Sequence, residues 1–211
     1  MKLLFLRRTK KKKMNTSESI RIIKDTTANP APLGLLGFGM TTTLLNLHNA
    51  GFFGLNSMII GMGLFIGGLA QIIAGVQEFK KNNTFGATAF TAYGFFWISL
   101  CAIWLIPKTS IGAELKSDEV SMGWFLTLWG IFTLFMFFGT FKMNRAIQFV
   151  FGSLVVLFAL LAIGDFTGNH TFKVVAGFEG IICGLSAVYL SVAQILNELY
   201  GKEVLPIGVK K

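Results

Sequence analysis

Six long runs of apolar positions, separated by short polar breaks, account for most of this chain. They fall at residues 32–50, 57–77, 84–106, 121–141, 146–164 and 174–198. Each is close to the roughly 20 residues that a helix rising about 1.5 Å per residue needs to cross a hydrocarbon core about 30 Å thick. Because the breaks are short, consecutive helices should run antiparallel. The pattern predicts an all-α integral membrane protein with six transmembrane helices. A basic and polar tail at 1–28 precedes the helical domain at 29–200, and a short tail at 201–211 follows it.

Composition supports that reading. Hydrophobic residues make up 53% of the chain and charged residues 14%, against about 25% charged in soluble domains. Phenylalanine alone fills 22 positions, and a soluble protein of this size would expose too much apolar surface to remain dispersed. The net charge of +9 is concentrated: seven of the 19 basic residues lie in the first 13 positions, and removing them takes the balance to +2. Such a segment beside a span is expected to hold the terminus in the cytoplasm or touch anionic lipid, and not to bind nucleic acid. It lacks the apolar core and small-residue cleavage site of a secretory signal. Met14, followed by Asn-Thr-Ser-Glu-Ser, is a second candidate initiator beside Met1. Cys101 and Cys183 fall inside spans, outside any ligand pattern, and are expected to be buried and free.

Lysine and arginine set the orientation. With the N-terminus inside, 16 basic residues lie on the cytoplasmic side and only Lys108, Lys116 and Lys173 lie outside. Both termini are therefore expected in the cytoplasm, in a multi-pass protein of the cell (cytoplasmic or inner) membrane. The acids Glu114, Asp118, Glu119 and Asp165 then fall in outer loops, where they read as solvated side chains. Within the spans, Gly63 and Gly67 form a GxxxG pair, and Gly177, Gly180 and Gly184 make a small-residue face continued by Ser186 and Ala187. Such faces let helix backbones approach closely.

The first span opens with Asn29-Pro30-Ala31-Pro32-Leu33-Gly34-Leu35. Asn29 is suited to cap a helix and Pro30 to its first position, where a missing amide costs nothing. The free amides of a first turn carry the positive end of the macrodipole and suit a carboxylate. A structural cap is the simpler reading of these residues on their own.

The whole string resembles the motif of the acetate uptake transporter family: the bacterial succinate–acetate permeases and their fungal acetate-permease relatives. The similarity continues through Gly37-Phe38-Gly39-Met40-Thr41-Thr42, Leu44 to Asn49, Asn83-Thr84-Phe85-Gly86 and Thr91-Ala92-Tyr93-Gly94. It extends through Gln148-Phe149-Val150-Phe151 and Leu157 to Gly164, and on to Val204-Leu205-Pro206-Ile207-Gly208. The resemblance implies a six-helix protomer, a homo-hexamer with one path per protomer, and transport of acetate, succinate or related short carboxylates. It implies a narrow apolar constriction formed here by Phe38, Tyr93 and Leu154. Two positions depart from the family pattern: Phe65, where relatives commonly carry Tyr, and Glu179, an acid inside a span. An acid there is a functional candidate, and Glu179 is the residue to examine for proton linkage.

Acetate is ionised at pH 7, as carboxyls with pKa values of roughly 4 are, so its path must supply water or donors. No Lys or Arg lies at the centre of a span. The neutral donors on offer are Asn29 and nearby amides, Thr41, Thr42, Thr43, Asn46, Gln71, Thr91, the Tyr93 hydroxyl and Ser186. Gln71 equally suits an interhelical bond, and the threonines suit bonds back to the preceding turn.

The leading expectation is a carboxylate channel or proton-linked transporter, with no cofactor and no metal. An acetate-responsive sensor or scaffold is disfavoured because no signalling domain is evident. An ammonium conduit is disfavoured because no cation cage is evident. An enzyme is least supported: there is no nucleophile–base set and no HExxH, and His48 and His170 stand far apart in sequence.

Overall fold

The computed structural model describes residues 27–209, so all but the last two residues of the basic tail, and the choice between Met1 and Met14, lie outside the described residues. Six long helices run antiparallel in sequence: α1 (Ala31–Asn49), α2 (Ser57–Lys80), α3 (Thr84–Leu105), α4 (Glu119–Gly139), α5 (Arg145–Thr167) and α6 (His170–Tyr200). Five of them, α2 to α6, are long and apolar enough to cross a membrane. The sixth expected span, α1, is the exception. Its 19 residues reach about 28 Å, but Thr41 to Thr43, Asn46, His48 and Asn49 make its second half polar. Protein covers them in part: Thr41, Thr42 and Asn46 are buried, and Thr43, His48 and Asn49 are half-buried.

Helix starts follow from single side chains. Asn56, Asn83, Asp118, Asn144 and Asn169 each accept a hydrogen bond from a first-turn amide, fixing the entries of α2 to α6. Asn169 explains why α6 begins at His170, earlier than the expected 174. In α1 the cap position is Pro30, and Asn29 reaches past it to accept from the Ala31 amide at 3.1 Å. The cap is thus one residue later than the sequence suggests. Gly168 and Gly201 end α5 and α6 in the left-handed conformation, with φ of +62° and +64°.

The middle of α2, Met62–Ala70, is wound as a π-helix. This widening comes with neighbouring side chains that bond its carbonyls. Thr41 donates to Met62 O at 3.3 Å, and the Gln71 amide donates to Gly67 O at 2.7 Å.

Packing follows the glycines. Along α6, a Cβ added at Gly177 would lie 2.3 Å from the Ala50 nitrogen, one at Gly180 2.2 Å from Asn46 Cγ, and one at Gly184 2.4 Å from Thr43 Oγ1. The expected small-residue face is therefore the seat of α1. On α2, Gly63, Gly67 and Gly75 face Cys101, Trp97 and Thr91 of α3 in the same manner. Cys101 and Cys183 are buried and free. After α6 the chain folds back: Gly208 O and Ile207 O accept from the Arg145 and Ala146 amides that open α5, and Tyr189 donates to Pro206 O at 2.8 Å. The exterior is apolar, with Leu128, Phe135, Phe149 and Ile182 exposed. Phe65 belongs to this exterior surface, so a hydroxyl at that position would point away from the interior.

Candidate functional site

One stripe on each of three helices turns toward the interior. On α1 it is Leu35, Phe38, Thr42 and Leu45; on α3, Phe90, Tyr93 and Trp97; on α5, Val150, Leu154, Leu157 and Leu161. The three- and four-residue spacings put each set on one helical face. The stripes enclose two small cavities. One, about 20 Å³, lies toward the Asn29 end and is lined by Leu35, Gln71, Phe90, Val150 and Phe151. The other, about 30 Å³, lies toward the Asp165 end and includes Thr42, Asn46, Phe96, Trp97 and Leu161. Each has room for about one or two waters.

Three residues, Phe38, Tyr93 and Leu154, line both cavities. They form the partition between them, and all three are buried. The Phe38 and Tyr93 ring centroids are 6.2 Å apart with planes at 49°. Tyr93 is braced by Phe132 at 5.6 Å and Trp129 at 6.0 Å. Its hydroxyl is 2.8 Å from Thr133 Oγ1, which itself donates to Trp129 O at 2.7 Å. Tyr93 is therefore the donor in that bond. Its hydroxyl is committed to α4, and the ring, not the expected donor, faces the cavities.

Few of the expected donors remain free. Thr41 and Thr43 donate to Met62 O and Gly39 O, Ser186 donates to Cys183 O, and Asn29 donates to Gln194 Oε1. Asn46 lines the second cavity while its amide donates to Thr42 O at 2.9 Å. Three residues that line the cavities each carry a buried side-chain polar atom without a protein partner: Thr42 (Oγ1) and Trp97 (Nε1) on the Asp165 side, and Gln71 (Oε1) on the Asn29 side; the cavity walls themselves are almost wholly apolar. Trp97 is absent from the sequence-based set. It stands four residues after Tyr93, and that spacing on one helical face was the available signal. Thr91 Oγ1 also lacks a partner but lies against Gly75, away from both cavities.

The opening motif divides. Leu35 faces the first cavity, whereas Asn29, Pro32 and Leu33 line a separate cleft against α6. Pro32 O accepts from Ser191 Oγ at 2.6 Å. Pro30 and Gly34 are buried, Ala31 is half-buried, and none of the three lines either internal cavity. The first-turn amides are mostly occupied: Ala31 donates to Asn29, Pro32 has none, and Gly34 donates to Pro30 O at 3.3 Å. Ala187 is fully buried, also away from the cavities. Glu179 does not line them either; its Oε1 accepts from Ser153, directly preceding Leu154, while Oε2 is buried without a partner.

Beyond Leu45 and Leu161, which also line the second cavity, lies an open vestibule of about 300 Å³. Its walls carry His48, Asn49, Asp118, Glu119, Asp165 and Lys173. Bonds from the Ser121 hydroxyl and amide hold the Asp118 carboxyl below the usual carboxylate range. Asp165 is not the solvated loop residue expected: its side chain is 12% exposed and pairs with Lys173 at 2.9 Å.

The comparisons agree on the relationship. Residues 11–202 match the model of the GPR1/FUN34/yaaH family. The succinate-acetate/proton symporter SatP of Escherichia coli K12 is 60% identical over 181 residues, covering 86% of this chain and 95% of its own length. Acetate permease A of Emericella nidulans is 36% identical over 198 residues, covering 86% of this chain and 66% of its own. The solved structure of the bacterial acetate channel SatP superimposes with a TM-score of 0.84 at 59% identity, covering 86% of this chain and 99% of that one. A multi-pass helical fold, the motif string from Asn29 onward and these matches together establish that the chain belongs to the GPR1/FUN34/yaaH family.

Proposed function

We propose that this protein conducts small carboxylates, acetate foremost, through each protomer along a path crossing the Phe38–Tyr93–Leu154 partition. The observation that carries the reading is that these same three residues line the cavity on either side. The names borne by the relatives support acetate as substrate and succinate as a larger candidate. The distribution of Lys and Arg supports an Asp165 side facing out and both termini in the cytoplasm. The family resemblance supports a hexamer with one path per protomer.

An entering carboxylate first meets the wall that carries Thr42 and Trp97, whose buried, unpartnered O–H and N–H become donors to its oxygens once the surrounding side chains shift. A charged group stripped of water needs such donors, and neutral ones hold it loosely enough to leave. Its methyl group then meets Phe38, the Tyr93 ring and Leu154. The flanking cavities hold only a water or two, so these side chains must rotate for passage, and their bulk sets the size limit.

We favour a passive conduit over proton symport. Among the described residues lining the two internal cavities, Tyr93 is the only one with a titratable side chain, and its hydroxyl is turned to Thr133. Glu179 stands behind the partition on Ser153, outside the path. The test is labelled acetate uptake into proteoliposomes with and without an imposed proton gradient. The expected result is uptake down the acetate gradient carrying net current. Accumulation against that gradient, driven by inward proton flow, overturns the passive reading and makes Glu179→Gln the next variant.

A further inference from the structure

We propose that Lys173 is the docking cation for a carboxylate arriving at the vestibule, and that Glu119 is a built-in competitor which the substrate displaces. This rests on the carboxylate-conduit reading above. Lys173 is the only lysine or arginine among the described residues lining the vestibule and the two internal cavities. Its two partners are unequal. Asp165 Oδ1 is 2.9 Å away on a nearly buried side chain, whereas Glu119 Oε1 is 3.5 Å away on a side chain 64% exposed. The short, sheltered contact fixes the ammonium over the vestibule. The long, solvated one contributes little, as exposed ion pairs do, and its carboxylate occupies the place that a free carboxylate would take.

Charge explains why displacement matters. Among the described residues that line the vestibule, Asp118, Glu119 and Asp165 are countered by Lys173 alone. The mouth is therefore negative, and an anion approaching it is repelled until it reaches Lys173. Removing Glu119 both lowers that repulsion and frees one side of the ammonium. The neighbouring cavity begins at Leu45 and Leu161, so a carboxylate docked at Lys173 stands at the entrance to the site that offers Thr42 and Trp97.

The test is the concentration dependence of initial acetate flux in proteoliposomes with the Asp165 side outward, at about 20 mM and about 500 mM salt. Glu119→Gln, an exposed change that leaves the Asp165–Lys173 contact intact, should lower KM about threefold or more at low salt with kcat unchanged. The difference should shrink at high salt. Lys173→Met should raise KM, and Lys173→Arg should restore it. Because Lys173→Met strands Asp165, the Lys173→Met/Asp165→Asn pair provides the same test without a buried unpaired charge. Wild-type KM in Glu119→Gln and in the double variant, or changes in kcat alone, overturns the docking role while leaving the conduit reading intact. A raised KM in Glu119→Gln overturns it too, pointing to a mouth that gathers cations. Absence of carboxylate flux in the wild-type protein instead overturns the conduit reading itself.

Discussion

The two sides of α1 are built on opposite principles. Toward α6 it meets Gly177, Gly180 and Gly184, and no space remains: a methyl group at any of them would overlap backbone or a polar side chain. Toward α3 and α5 it presents Leu35, Phe38 and Leu45 to other large side chains, and two voids remain between them. Small residues here close space and bulky ones leave it. A flat glycine surface lets a neighbouring backbone come into contact along its length, which is how helices associate where lipid removes most of the hydrophobic drive. Aromatic rings and leucines meeting from three directions cannot fill a volume so completely, and a path needs that imperfection. One side fixes α1, so that the other can hold Phe38 at a defined place.

The comparison breaks first at the seam. Gly180→Leu should lower the melting temperature strongly, since even its Cβ would lie 2.2 Å from Asn46 Cγ; overpacking of this kind costs about 1–3 kcal/mol or more. Thermal melting in detergent should detect that loss. Gly61→Ala, where nothing lies within 4 Å of the added carbon, should melt at or slightly above wild type. Survival of Gly180→Leu with an unchanged melting temperature would mean that the α1–α6 seam is not as close as described.

On the path side, Thr42→Val keeps the shape and deletes an unpartnered hydroxyl. Acetate flux should fall about tenfold, the scale of one hydrogen bond to a charged group, with thermal stability preserved. Trp97→Phe should act in the same direction. A neutral solute of acetate's size should be little affected by either change, and equal losses for both solutes would assign these residues to packing alone.

The smallest effect sharpens the picture. Tyr93→Phe retains the ring and removes only the bond to Thr133, whose own hydroxyl still donates to Trp129 O. Stability should drop by about 1 kcal/mol, and acetate flux should stay within about twofold of wild type. A loss near that of Thr42→Val would show that the hydroxyl turns to the substrate.

Much of the scaffold could be read directly from the residues. The span edges were near the observed helices because each break contains an Asn or Asp cap, and α6 extended further because Asn169 starts it immediately after Gly168. The π-helical stretch of α2 could not be read that way: Met62–Ala70 is an apolar run like the other spans, and the bonds that Thr41 and Gln71 make to its carbonyls appear only in the fold. For the partition, spacing alone put Phe38, Tyr93 and Leu154 inside helices; the resemblance singled them out. The donor set was less legible. Thr41, Thr43 and Ser186 bond carbonyls of their own or a neighbouring helix, whereas Trp97, overlooked as an apolar residue, has a free N–H. The sequence suggested a polar turn at Asp165, but the last turn of α5 carries it and the first turn of α6 carries Lys173, and only the folded arrangement pairs them.

The most direct test of the central claim is the substrate size limit of Leu154→Ala. Flux of acetate, butyrate and benzoate should be measured through wild-type and variant proteins reconstituted at equal folded density. If Leu154, Phe38 and Tyr93 form the gate, the variant should pass the larger carboxylates at rates approaching acetate while the wild type excludes them. An unchanged size limit in well-folded Leu154→Ala would contradict the account and place the selective barrier elsewhere.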